Sequence, residues 1–214
     1  MKKPSLENPF VFTQSVVLLP LLFVLLLWAV FWVENHFHIS LSHYGVYPRE
    51  AFGAKGIFFS AFLHGDLKHL INNSLALLVL LAALRFFYRE QSFLVLIFGI
   101  IFSGLGTWLL GRPSYHIGAS GLVYALVLFV FTSGLIRKNK KLLVFAFLSL
   151  VFQSGLLWGV FPLEEGVSWE SHLFGAIVGI VLAFLFKHEG PQADPPKIWD
   201  EETEENTTDE YLNL

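Results

Sequence analysis

The chain has 214 residues, of which 55% are hydrophobic and 14% charged, and its mean hydropathy is +0.61. A soluble domain of this length would carry about 25% charged residues, and here the apolar residues come in long continuous runs, which points to a membrane protein rather than a water-soluble one. The net charge is −3, there is no cysteine, and no basic surface with interleaved aromatic residues occurs, so disulfides and thiolate metal sites are excluded and a nucleic-acid partner has no support.

In chain order, residues 1–13 are a short basic N-terminal segment. Six apolar segments follow, at about 14–33, 68–86, 93–110, 119–136, 141–158 and 170–187. Each has roughly the 17–25 residues that a helix needs to cross a bilayer. The first is too long for a signal peptide and lacks a small-residue cleavage site before Glu34, so it reads as a retained span. Pro20 inside it is tolerable, because neighbouring helices can satisfy the backbone group it frees. The stretch from about 34 to 67 is the one long loop between spans. Its Phe52, Ile57, Phe58, Phe59, Phe62 and Leu63 fit either a segment lying partly in the outer leaflet or a small cap packed on the bundle. Residues 188–214 form an acidic, Pro-containing tail that holds, with Glu189, nine of the 17 acidic residues. Its composition predicts disorder. Residues 14–187 are therefore read as one six-helix membrane domain between two cytoplasmic ends.

Lysine and arginine set the orientation. With the N-terminus inside, ten of them fall on inner segments and Arg49, Lys55, Lys68 and Arg112 fall on outer ones. The positive-inside rule favours this arrangement, with both termini cytoplasmic. The second, fourth and sixth spans then run from outside to inside, so the polar residues that open them lie near the same face.

Those residues are Ser120 in "HIGASGLVYAL", His172 in "SWESHLFGAIVGI", and His69 with Asn73 in "FLHGDLKHLINNSLALL". Polar groups at membrane depth are costly and suggest function. His172, Gly175, Ala176 and Gly179 share one helix face, and the small residues let another helix approach closely. Ser120 and Tyr124 are i and i+4, as are His69 and Asn73. A serine and a histidine make a nucleophile and its general base. The spans contain no acid at membrane depth, and Glu170 is two residues from His172, a spacing that shares no helix face. The inventory gives a Ser–His dyad, with Tyr124 orienting the imidazole by ring contact. Asn73, His69 and the backbone N–H groups at the Ser120 helix start are the available oxyanion donors.

Each residue also has a plainer reading. A serine at a helix start is commonly a cap, and a histidine near the membrane surface is commonly just polar. His36, His38, His43 and His188 are read that way, while His64 and His116 stay open. "GASG" fits a nucleophile elbow, but no strand precedes it, which excludes an α/β-hydrolase. No "HExxH" motif for a zinc protease occurs, and neither paired midplane charges nor repeats suggest a transporter. The conjunction of residues carries the signal.

"GASG" at a helix start, "HLFGAIVG" in the last span, "HLINN" in the second and the six-span pattern resemble the rhomboid family of intramembrane serine proteases, over about residues 10 to 187. The resemblance implies an all-α six-helix bundle with a long first outer loop, integral to a membrane, here expected to be a bacterial inner (plasma) membrane. It implies Ser120 as nucleophile and His172 as base. It further implies that His69, Asn73 and the Ser120 backbone line the oxyanion hole, that Gly118 shapes the loop, and that Tyr124 packs on the base. It also implies cleavage of membrane-protein substrates in or near their transmembrane segments, without cofactor or metal. The alternative is a non-catalytic rhomboid-like protein that binds membrane clients. Two positions depart from the family pattern: the first loop has "GVYPRE" where a tryptophan-arginine pair is common, and Ser171 stands where alanine often precedes the histidine.

Overall fold

The computed structural model describes residues 12–152, 159–162 and 166–191. The N-terminal residues 1–11, the last part of the fifth apolar segment and nearly all of the acidic tail lie outside the described residues. Within them the protein is helical, with no strand. The six long helices match the six apolar segments: α1 (Gln14–His36), α3 (Leu67–Phe87), α4 (Ser92–Leu110), α5 (Ser120–Arg137), α6 (Lys140–Phe152) and α7 (Trp169–Leu185), while α2 (Gly56–Phe59) is a single turn in the long loop.

The ends of these helices follow from local chemistry. Asp66 caps α3, its carboxylate accepting from the His69 N–H at 2.8 Å. Lys138 takes the left-handed conformation that ends α5, at φ 53°. The Asn139 side chain then accepts from the Leu142 N–H at 3.1 Å and opens α6. The short connection between α5 and α6 comes from these two consecutive residues.

α5 is the buried centre of the bundle. Leu122, Val123, Ala125, Leu126, Val127, Phe129 and Val130 on it are almost fully buried, on several faces of the helix. A helix apolar all round belongs inside a bundle. Its tightest neighbour is α7. A Cβ on Gly175 would come within 2.1 Å of the Gly121 carbonyl oxygen, and one on Gly179 within 2.2 Å of the Ala125 carbonyl oxygen. Only glycine permits such backbone approach. Peripheral helices instead expose large apolar side chains, such as Leu22, Leu25 and Trp32 on α1 and Phe93, Leu94 and Phe102 on α4. Such surfaces require lipid, and the molecule is an integral membrane protein.

The long loop is folded. Its α2 turn lies on α4, where a Cβ on Gly104 would meet the Ile57 carbonyl oxygen at 2.3 Å. Val46, Ala61 and Leu63 are buried, while Phe52, Phe58 and Phe59 remain about half exposed. The loop thus caps the bundle and also presents an aromatic outer face. The "GVYPRE" stretch has a definite seat: Arg49 donates to the Gly111 carbonyl at 2.8 Å, and Trp108 donates to the Glu50 carbonyl at 3.0 Å.

Candidate active site

Ser120 is the first residue of α5. The loop before it turns sharply at Gly118, whose φ of +119° suits glycine. A side chain there would also strike His69, with a Cβ only 2.5 Å from the ring Cε1 and 2.7 Å from Nε2. The Gly118 N–H donates to the Ser60 carbonyl at 2.9 Å, which ties this turn to the long loop. The first N–H groups of α5 have no partner within their own helix and aim their partial positive charge toward Ser120.

His172 lies in the first turn of α7 and is 8% exposed. Its Nε2 is 2.7 Å from Ser120 Oγ and its Nδ1 is 2.7 Å from the Gly159 carbonyl oxygen. A carbonyl only accepts, so Nδ1 carries the proton and Nε2 offers a lone pair to the serine hydroxyl. The ring stacks on Tyr124, with centroids 4.4 Å apart and planes 18° from parallel. The glycine seam brings the two helices close enough for this contact.

The α3 residues form the other wall. His69 lies against Gly118. Asn73 is buried, and its Nδ2 is 3.0 Å from His64 Nε2. Burial, reinforced by the neighbouring His69, pushes His64 down to about 4, so at neutral pH its ring can accept one amide hydrogen from Asn73. The second amide hydrogen stays available. Asn72 faces outward and is exposed. A polar cleft of about 440 Å³, lined by Asp66, His69, Arg112, Ile117 and Ser168 among others, opens beside this wall.

The structure thus brings His172 into contact with both Ser120 and Tyr124 and sets His69 against Gly118, while Asn73 hydrogen-bonds His64. Sequence reasoning had no signal for the Gly159 carbonyl, because a backbone acceptor carries no residue-type signature. It left His64 and His116 open. It also found no role for Glu170, which turns away from His172: its Oε1 accepts from the Arg112 N–H at 3.2 Å. Ser171, one of the two departures from the family pattern, bonds Ser168 at 2.7 Å and Thr107 at 3.1 Å.

The profile of the Rhomboid domain matches residues 52–189, well over half of the chain. The chain belongs to the rhomboid family. This rhomboid is also similar to uncharacterized proteins of Mycobacterium bovis and Mycobacterium tuberculosis, each 33% identical over 202 residues, covering 83% of this chain and 82% of the relative. A Mycobacterium leprae protein is 33% identical over 175 residues, covering 77% of this chain and 69% of the relative. These relatives are bacterial proteins.

Proposed function

We propose that this rhomboid is an intramembrane serine endopeptidase that uses a Ser120–His172 dyad to cut other membrane proteins in or near their transmembrane segments. One observation carries the reading: a histidine whose Nδ1–H is held by a carbonyl presents its free Nε2 to a serine hydroxyl 2.7 Å away. In the proposed reaction Ser120 Oγ attacks the scissile carbonyl carbon and Nε2 takes its proton. The oxyanion collects hydrogen bonds from the α5 N-terminus, His69 and Asn73. Collapse breaks the C–N bond, His172 protonates the leaving amine, and water admitted through the polar cleft hydrolyses the acyl-enzyme. Tyr124 keeps the imidazole plane fixed. The site faces outward and both termini are cytoplasmic in this reading, which rests on the lysine and arginine distribution. The protease domain spans residues 14–187, with the acidic tail outside it. A client-binding protein without catalysis would not need a hydroxyl and an imidazole paired in this way.

The test is labelling with a serine-directed fluorophosphonate and cleavage of a transmembrane substrate in micelles. Wild type should react at one serine, insensitive to chelators. Ser120→Ala and His172→Ala should each abolish cleavage while the protein stays folded, and their losses should not add, because the pair acts as a unit. Full cleavage by either folded variant would end the proposal.

A further inference from the structure

At the Ser120 end of the bundle lies a second buried polar cluster that the dyad does not use. Its centre is Glu170, 2% exposed, in the first turn of α7 and two residues before His172. Oε1 accepts from the Arg112 backbone N–H at 3.2 Å and lies 3.7 Å from Arg112 Nε. Oε2 is buried without a hydrogen-bond partner and faces His116 Nδ1 at 4.0 Å. A carboxylate taken out of water is strongly unfavourable unless it is paired, so its presence here calls for an account.

His116 is the junction of this cluster. Its backbone pairs with Val46 of the long loop, N–H to carbonyl in both directions at 2.9 and 3.0 Å. Its Nε2 donates to the Arg112 carbonyl at 3.0 Å, and its Nδ1 is 2.6 Å from Ser168 Oγ. Ser168 bonds Ser171, and Ser171 bonds Thr107 on α4. Arg112 adds a donation to the Val167 carbonyl. The segment that leads to the nucleophile, from Gly111 to Ala119, is therefore fastened to the segment that begins the base's helix by a chain of polar contacts around the buried Glu170 and His116. The fastening lies four residues before Ser120 and two before His172.

We propose that Glu170, acting through Arg112 and His116, is a positioning residue that sets the distance between nucleophile and base. It does not touch the reacting atoms. Its carboxylate draws the 111–119 loop onto the start of α7, and the 2.7 Å Ser120–His172 contact depends on that anchorage. The inference rests on the protease reading for its kinetic part. A merely structural glutamate would act differently: in the first turn of a helix it favours the N-terminal dipole and contributes only to stability.

The experiment uses the full chain in detergent micelles. Glu170→Gln keeps the size and an acceptor for the Arg112 N–H but removes the charge. It should lower both kcat and the fluorophosphonate rate at Ser120 by about 10- to 100-fold, the scale on which small misplacement acts, with KM unchanged. Glu170→Asp should recover part of the loss. His116→Gln should cause a loss that does not add to that of Glu170→Gln, because both open the same fastening. Arg137→Gln is the stability control. It removes a buried charge at the far end of α5, about 26 Å from Ser120, and should lower the melting temperature without slowing labelling. Hydrogen exchange of the 111–119 amides should rise in Glu170→Gln. Unchanged labelling and kcat in folded Glu170→Gln would overturn the proposal, as would a loss that Arg137→Gln reproduces at equal destabilisation. A wild-type protein that neither labels nor cleaves would sink the protease reading instead. The holding role would then be decided by exchange alone, and unchanged exchange would refute it.

Discussion

Replacing Gly175 with alanine should slow reaction at Ser120 by about a hundredfold while leaving the protein folded. The added Cβ would lie 2.1 Å from the Gly121 carbonyl oxygen, where ordinary contact begins at 3.4 Å. The shortfall is about 1.3 Å, and neither partner is a flexible side chain. Relief therefore comes by moving α7 away from α5, one turn below His172 and one residue past Ser120. If half of that movement reaches the dyad, the 2.7 Å contact opens to about 3.3 Å, beyond the usual range for an imidazole–hydroxyl hydrogen bond. Overpacking costs about 1–3 kcal/mol, and the better helix propensity of alanine offsets up to about 1 kcal/mol of it. The expected signature is a small drop in melting temperature with a large drop in rate. Fluorophosphonate labelling and thermal unfolding of the same micellar sample measure both. Ile177→Ala, on the exposed side of the same helix, is the comparison and should label near the wild-type rate. A Gly175→Ala protein that labels as fast as wild type would refute the claim that the dyad contact needs this close approach of α7 to α5.

Three further outcomes are expected. Asn73→Ala should reduce kcat by about 10²–10³-fold, the usual cost of losing an oxyanion donor, whereas exposed Asn72→Ala should change it little; the reverse order in folded protein would displace Asn73 from the site. His64 titrates at about 4 in the folded protein against 6.5 when unfolded, so the unfolded state takes up the proton first and stability should fall as pH drops from about 6.5 to about 4, by a total of about 3 kcal/mol from this group. Thermal unfolding of His64→Gln should show a shallower pH slope over that window, and an unchanged slope would contradict the assignment. For topology, the cysteine-free chain allows single-cysteine mapping: Glu50→Cys should react with an impermeant thiol reagent on intact cells and Lys138→Cys only after permeabilisation, and the opposite pattern would invert the orientation.

The parts of this molecule that were legible in the sequence are those with a local period. Six apolar runs mark six helices because a lipid-facing or buried helix needs continuous apolar residues. Ser120 with Tyr124, His69 with Asn73, and His172 with Gly175 and Gly179 were visible because i+3 and i+4 neighbours share a helix face. The contacts that stayed hidden join segments far apart in the chain. Glu170 meets Arg112 across 58 residues and His116 meets Ser168 across 52, and no spacing rule connects such positions. Spacing along α7 places Glu170 off the His172 face, but it carries no information about the Arg112 N–H that the carboxylate accepts from on another segment. His64 precedes α3, outside the helical periodicity that marked Asn73. The long loop had two readings because its aromatic residues suit a lipid surface and a packed cap equally, and the folded loop combines a buried layer with an exposed one.

The lengths of α5 and α7 have a further consequence. At 18 and 17 residues they rise only about 27 and 26 Å, against a hydrocarbon slab of about 30 Å, whereas the 23 residues of α1 rise about 35 Å. Ser120 and His172 sit in the first turns of the short helices. When the far ends of those helices are level with one edge of the slab, the hydroxyl lies a few ångströms inside the other edge. For the proposed protease, bilayer thickness is then a variable of the chemistry: a thicker membrane sinks the hydroxyl further from bulk water, and a thinner one brings it nearer the surface.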